Sequence, residues 1–370
     1  MLVGLPDPAF WKGKRVLLTG HTGFKGSWLL YWLEAMGAQV SGLALPPEGP
    51  VSLFDGLHSM GRLAGEVADI RDAHAVLSLV ETARPEIVFH LAAQSLVLRG
   101  YADPVGTFAV NVAGTRNVLE AVSRVGTARA IVVTTTDKVY RNGDGGRAFV
   151  ESDPLGGSDP YSESKAACEL VVAGYRVSHF EAAGCGIATA RAGNVIGGGD
   201  WAENRLLPDA VRAWSRKASL EVRRPGATRP WQHVLEPLRG YLVLAERLHA
   251  GGPLAGAYNF GPDCESASVR HVLALAASHF DDARMDLAPQ PEGPHEAHAL
   301  ALDPGLARRD LGITSLWALD QTVAMTARWY RQSLAGVDSR SLCAEDHATY
   351  LDSALRAASG ERRAAAGGRR

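Results

Sequence analysis

The run KRVLLTGHTGFKGSWLLYWLEAMG, residues 14–37, restricts the fold more than any other stretch. An apolar, branched segment ends on Gly20. Gly23 and Gly26 follow at three-residue intervals, and apolar residues then recur at helical spacing up to Gly37. This order predicts a buried strand, a glycine turn and a helix with a glycine cap. The spacing is G-x-x-G-x-x-G rather than G-x-G-x-x-G, but the physics is shared. Glycines let the backbone turn tightly and approach a pyrophosphate, which rests on amides at the helix N-terminus. A fold built from strand–helix–strand units with a dinucleotide cofactor follows.

The same alternation continues. AQVSGLAL, PEIVFHLAA, ARAIVVTTTD and CGIATARAGNVIG read as strands. TRNVLEAVSRVG and SKAACELVVAGYRVSHFEAAG read as helices. Strands alternating with helices predict an α/β fold with a doubly wound, mostly parallel sheet. We assign residues 10–195 to this Rossmann-like domain, rejoined by part of 230–262. The pattern loosens after Ile196, and residues 196–335 read as a smaller, interleaved α+β C-terminal domain that covers the substrate. Residues 336–370 form a C-terminal extension whose low-complexity end, RAASGERRAAAGGRR, reads as disordered.

A formal net charge of -2 over 370 residues excludes the sustained basic footprint of a nucleic-acid or membrane-surface protein. No apolar run is long enough to span a membrane, and the first residues carry no secretory pattern. Cys168, Cys185, Cys264 and Cys343 are widely spaced and read as reduced thiols, so a cytoplasmic location is expected. His295 and His298 lack a nearby third ligand, so no metal site is expected.

Two acid–base sets stand out. Tyr161 and Lys165 lie four apart at a helix start and share a face. Bringing a phenol from about 10 to about 7 takes roughly 4 kcal/mol, and an ammonium about 4 Å away supplies a similar amount at an effective dielectric near 20. Lys165 is therefore expected to lower the pKa of Tyr161 and make it a base. The second set ends a core strand: Thr136, Asp137 and Lys138. Only six of the chain's 38 basic residues are lysines, and a lysine can lose a proton where an arginine cannot. Both side chains are expected to reach one substrate where the strand bends into a loop. Lys25, in the glycine loop, could meet a phosphate or be solvated. The end of the second strand offers neither an acid nor an arginine, so it does not separate NAD from NADP. Asp69 and Ile70 after the third strand suit an adenine-edge contact, and Asp69 could equally cap a helix. Leu91, Ala92, Ala93 and Gln94 end the fourth strand with small residues beside which a cofactor could pass.

Gly20, Gly23, Gly26, Asp69, the LAAQ strand end, Thr134 to Thr136 and the Tyr161/Lys165 pair together resemble the extended short-chain dehydrogenase/reductase superfamily. GHTGFKGSW, TDKVY, DPYSESK, RAGNVIGGGDW, RLLPD, RPWQHVLEPL, YNFGP and HEAHALALD resemble one branch of it, the CDP-glucose 4,6-dehydratases, in order along residues 10–335. The branch more often has Ser-Asp-Lys-Cys-Tyr where this chain has Thr136-Asp137-Lys138-Val139-Tyr140.

The resemblance implies a lyase that uses NAD and forms CDP-4-keto-6-deoxy-glucose for deoxysugar and polysaccharide synthesis. It implies Thr136, Asp137, Lys138, Tyr161 and Lys165 as catalytic residues. Cofactor contacts are expected from Gly20, Thr22, Gly23, Phe24, Gly26, Asp69, Ile70, Leu91, Ala92, Ala93, Gln94, Thr134, Tyr161 and Lys165. Substrate contacts are expected from Gln94, Asn194, Arg205, Leu206, Arg229, His233 and His298, with Trp231 in the core. A homodimer or homotetramer is implied, the dimer joined through the helices containing TRNVLEAVSRV and SKAACELVVAGYRV. Two other readings remain open: a related nucleotide-sugar dehydratase or epimerase, and a non-catalytic dinucleotide sensor.

Overall fold

The computed structural model describes residues 4–58, 63–143, 146–254, 256–263, 265–288 and 297–367. Cys264 and His295 lie outside the described residues. The glycine-containing run folds as expected. Strand β1 (Arg15–Thr19) ends at Gly20, and the helix Phe24–Ala35 starts after Gly23. Its Trp28, Leu29, Trp32 and Leu33 are fully or almost fully buried against the sheet.

Strands β2 (Gln39–Ala44), β3 (Ala64–Val67), β4 (Ile87–His90), β5 (Ala130–Thr134) and β6 (Gly186–Ala192) follow, each after a helical connection. Beyond β6 come three short strands and one of four residues: β7 (Val195–Ile196), β8 (Ser219–Val222), β9 (Thr228–Arg229) and β10 (Gln232–His233). Then come β11 (Ala257–Phe260), β12 (Ala267–Ser268) and β13 (Arg284–Leu287).

Seven strands form one parallel sheet in the order β11-β6-β5-β4-β1-β2-β3. Apolar runs such as AIVVT in β5, buried at every position, are what a sheet covered on both faces requires. The strand order reverses between β1 and β4. Loops leaving their carboxyl ends diverge there and leave the crevice in which such sheets bind ligands.

The remaining strands pair two by two, β10 with β7, β12 with β9 and β13 with β8, around a separate apolar cluster that includes Trp214, Leu220, Trp231 and Val272. Trp231 is thus a core residue, its indole N–H donating to the Ala267 carbonyl at 2.9 Å. The stretch CGIATARAGNVIG, read as one strand, breaks at Gly193 and Asn194 into β6 and β7. The break lets the chain leave the sheet at its functional edge. In the C-terminal extension a helix spans Ser339–Gly367 and runs into the low-complexity end. Its first half buries Leu342, Cys343, Tyr350 and Ala354.

Candidate active site

A cleft of about 600 Å³ runs along the carboxyl edge of the sheet and under the small lobe. One end is the glycine loop. Gly20 has φ +76°, a left-handed conformation, and a Cβ there would meet Ala92 N at 2.6 Å. A Cβ on Gly26 would lie 2.0 Å from the Gly20 carbonyl oxygen. At Gly23 the nearest atom would be 3.4 Å away, so nothing in the fold forbids a side chain there; its absence leaves an open cradle at the helix start. Amides at a helix N-terminus, with no side chain between them and the cleft, fit a pyrophosphate. Thr22, Phe24, Asp69, Ile70 and the β4 end from Leu91 to Gln94 continue the lining toward Thr134, Tyr161 and Lys165. The residues therefore fit an extended dinucleotide.

Asp69 does not cap a helix. The helix Ala73–Ala83 is capped by Asp72, which accepts from His74 N and Ala75 N. The Asp69 carboxylate is held by Arg71, at 2.6 and 2.9 Å, and this ion pair keeps its pKa below the ordinary value.

The helix Pro160–Tyr175 starts under an Asp159 cap and carries Tyr161 and Lys165 into the cleft. Lys165 Nζ donates to the Thr134 carbonyl oxygen at 2.9 Å, so the amine is tied to the end of β5. Tyr161 differs from expectation. Its pKa is not lowered toward 7 but pushed up to about 12, because burial outweighs the favourable bond with the Thr136 side chain and the charge of Arg205. Desolvation of the phenolate wins over its positive neighbours.

Asp137 and Lys138 occupy a single 3-10 turn, Asp137–Val139, at the same sheet edge. Lys138 Nζ sits 2.9 Å from Asp137 Oδ1, which also accepts from Thr136 Oγ1 at 3.0 Å. Lys138 lines the cleft, with Asn194 Oδ1 3.5 Å from its amine. Asp137 does not. Its side chain is 1% exposed, and Oδ2 is buried with no hydrogen-bond partner among the described residues. Gly193 and Pro230 close over it: a Cβ on Gly193 would lie 2.4 Å from Pro230 Cγ and 3.3 Å from Asp137 Oδ2. The expectation that both side chains reach one substrate is thus corrected. Lys138 faces the cleft, and Asp137 is sealed behind it.

On the small-lobe side, Asn194, Arg205, Leu206 and Arg229 line the cleft, and Gln94 faces them across it. Arg205 Nη2 donates to the Ser95 carbonyl at 3.2 Å, bridging the lobe and the β4 loop. Two expected contacts fall elsewhere. His233 is fully buried, its ring 4.7 Å from that of Trp317 and 6.3 Å from that of Trp28. Burial pushes its pKa down to about 3, so it stays neutral and cannot meet a diphosphate. His298 stands behind Arg229, and its carbonyl oxygen accepts Arg229 Nη1 at 3.2 Å and Thr228 N at 3.0 Å.

Other cleft residues escaped the sequence reading. Arg223 and Arg224, at the end of β8, add positive charge to the lining. Two adjacent arginines before a Pro-Gly turn were the available signal. Lys25 lines the cleft as well. Burial first, then the charge of Arg205, lowers its pKa to about 7. The cleft thus holds two clusters of ionisable groups on rigid elements, one suited to drawing a proton from a hydroxyl and one built around an amine with a carboxylate behind it.

The sequence pattern of the NAD dependent epimerase/dehydratase family matches residues 16–261. The chain is 42% identical, over 95% of its length and 99% of the relative's, to the CDP-glucose 4,6-dehydratase of Salmonella typhimurium. Among solved structures, the dTDP-glucose 4,6-dehydratase of Streptomyces venezuelae, with NAD bound, superposes with a TM-score of 0.72 at 25% identity, covering 86% of this chain and 97% of that one. The UDP-glucose 4-epimerase of Thermus thermophilus, in complex with NAD, gives 0.72 at 26% identity, covering 86% and 99%.

Proposed function

Because this chain belongs to the NAD dependent epimerase/dehydratase family, we propose that it is a lyase converting CDP-D-glucose to CDP-4-keto-6-deoxy-D-glucose. The observation that carries the reading is one cleft lined by both Tyr161/Lys165 and a lysine backed by a carboxylate, Lys138 and Asp137. Oxidation and reduction at one carbon need the first set alone. Loss of water across C5 and C6 needs a second base, and Lys138 fills that role.

NAD, held by the glycine cradle and the β4 and β5 ends, supplies the acceptor and later the donor of a hydride. Tyr161, in its phenolate form, takes the C4 hydroxyl proton as hydride leaves C4. Lys165, tied to Thr134, lies one helical turn from Tyr161, and Thr136 exchanges its bond to Asp137 for one to the C4 oxygen. The resulting ketone acidifies C5–H. Lys138, as a free amine, takes that proton, and its ammonium form then protonates the departing C6 hydroxyl, which leaves as water. The pair ends in its starting protonation state. Asp137, 2.9 Å away, orients the amine from behind. Hydride then returns to C6 and C5 receives a proton, which balances the one that Tyr161 took from the C4 hydroxyl and releases. Arg205 and Arg229 face the diphosphate, with Asn194 and Gln94 as amide contacts.

The test is direct. Purified protein is incubated with CDP-, UDP- or dTDP-glucose and the products are weighed by mass spectrometry. Loss of one water from CDP-glucose, faster than from the other two, is expected. Turnover of dTDP-glucose alone would overturn the base preference, and no turnover of any would favour a dinucleotide sensor.

A homodimer belongs to the same reading. Leu170 and Val177, 66% and 70% exposed, lie on the helix of Tyr161 and its continuation, and Val105, 80% exposed, lies on the helix Pro104–Phe108 that packs against it. Apolar side chains this exposed fit a helix-to-helix interface with a second copy. Sedimentation should give twice the chain mass, and Leu170→Asp should give monomer. Buried free thiols at Cys168, Cys185 and Cys343, and the absence among the described residues of a helix able to cross a membrane, fit a cytoplasmic enzyme of deoxysugar synthesis.

A further inference from the structure

Glu169 is four residues beyond Lys165 and eight beyond Tyr161, so all three share a helix face. Its carboxylate points not at the cleft but beneath it, and accepts four hydrogen bonds. Thr135 Oγ1 reaches Oε1 at 2.5 Å and Thr189 Oγ1 reaches Oε2 at 2.7 Å. Arg191 adds Nε to Oε1 at 3.0 Å and Nη2 to Oε2 at 2.7 Å. Both charged side chains are 4% exposed. The guanidinium goes further: Nη1 donates to Tyr140 OH at 2.9 Å and to the Glu151 carbonyl at 3.0 Å, and its carbon lies 5.0 Å over the Tyr140 ring. Tyr140 in turn donates to Asn259 Oδ1 at 2.6 Å and stacks on Phe149 at 4.8 Å.

Thr135 and Tyr140 flank the Asp137–Val139 turn on its two sides. One buried ion pair therefore holds the helix that carries Tyr161 and Lys165 and the turn that carries Asp137 and Lys138. We propose that Glu169, Arg191 and Tyr140 are positioning residues that fix the two proton-transfer sets relative to each other. Cohesion alone does not require this arrangement. An apolar cluster of equal volume would stabilise the core as well as a buried ion pair does, or better. What the ion pair adds is direction, because a carboxylate bound at both oxygens by three residues, one at the end of β5 and two on β6, admits one geometry. A misplacement near 1 Å at a reacting centre can cost on the order of a hundredfold in rate, so this direction matters for catalysis.

The inference rests on the assignment of Lys138 to the elimination, and the test separates the two. Tyr140→Phe removes one hydroxyl from the network and leaves every residue assigned to the proton transfers in place. Its kcat is expected to fall on the order of tenfold or more, with KM for CDP-glucose within about threefold of the parent. Deuterium at C5 of the substrate should slow the variant more than it slows the parent. Deuterium at C4 should slow it less, because the misplaced Lys138 makes C5–H cleavage the harder step. Glu169→Gln puts an amide N–H against a donor and should act in the same direction more strongly. If that variant does not fold, Tyr140→Phe still decides. Parental turnover in Tyr140→Phe, or slow turnover with both isotope effects unchanged, overturns the positioning role provided Lys138→Ala is impaired. Normal turnover in Lys138→Ala removes the elimination assignment and the proposal with it.

Discussion

Gly26 and Gly23 are three residues apart in one loop, yet the structure predicts opposite consequences for adding a methyl group. At Gly26 the new Cβ would be 2.0 Å from the Gly20 carbonyl oxygen and 2.8 Å from both Gly20 C and His21 Cα. Ordinary contact begins near 3.4 Å, so the helix start and the loop must part by about 1.4 Å, the difference between the two distances. All three obstructing atoms are backbone, and none can rotate away. That displacement also weakens the Gly23 N to Gly20 O bond, now 3.1 Å. Overpacking of this kind costs about 1–3 kcal/mol. Gly26→Ala should therefore melt roughly 1–4 °C below the parent. At Gly23, φ is -79° and the nearest atom would be 3.4 Å away, so Gly23→Ala should melt within about 1 °C of the parent. Its methyl group instead projects where a pyrophosphate must come close. NAD affinity, measured by calorimetric titration, should fall about tenfold, equivalent to 1.4 kcal/mol. A parental melting temperature for Gly26→Ala, or parental NAD affinity for Gly23→Ala, would refute the division between a glycine kept for the fold and one kept for the ligand.

Tyr161→Phe should lower kcat by about 10²–10⁴-fold while CDP-glucose binding changes little; an active variant would show that the phenol moves no proton. Because Tyr161 is held protonated, with a pKa pushed up to about 12 by burial, kcat at saturating CDP-glucose should rise with pH as the phenolate becomes available. Arg205→Met removes a positive charge that lowers this pKa, so the rise should move to higher pH; an unmoved or lowered limb contradicts the coupling. Burial raises Glu246 from 4.5 to about 7. The folded chain then holds a proton that the unfolded chain releases, so this stability contribution is full below 4.5 and is lost as pH rises to about 7. Melting curves of Glu246→Gln should decline less steeply across that interval than those of the parent.

The features legible in the sequence are those whose partners are close along the chain. The glycine loop, the Tyr161/Lys165 spacing and the Thr136-Asp137-Lys138 strand end all turn up in one cleft, except the Asp137 side chain. Asp137 was misplaced because its seal comes from Gly193 and Pro230, which reach it only when the chain leaves β6. His233 follows Arg229 closely in sequence, but its ring turns into a wall made by Trp28 and Trp317, which no local spacing reveals. For Tyr161, counting the nearby ammonium captured one contribution and missed the larger one, because desolvation is set by the packed surroundings. Glu169 stood in plain view one turn beyond Lys165. Its meaning depends on Arg191, which becomes a neighbour once β6 lies beside β5.

The seventh strand has a consequence for how the chain is made. β6 pairs with β5 on one side and with β11 on the other, and most of the small lobe's first half is threaded between β6 and β11. During synthesis from the N-terminus, the backbone edge of β6 waits for Ala257–Phe260 before it is covered. Until then the nascent sheet carries an open, apolar edge of the kind that pairs with other chains. Asn259, which caps that edge and ties it to Tyr140, is therefore the point at which assembly of the sheet and alignment of the proton-transfer groups are completed in one event. Chains released before that point should aggregate rather than persist as a smaller folded domain.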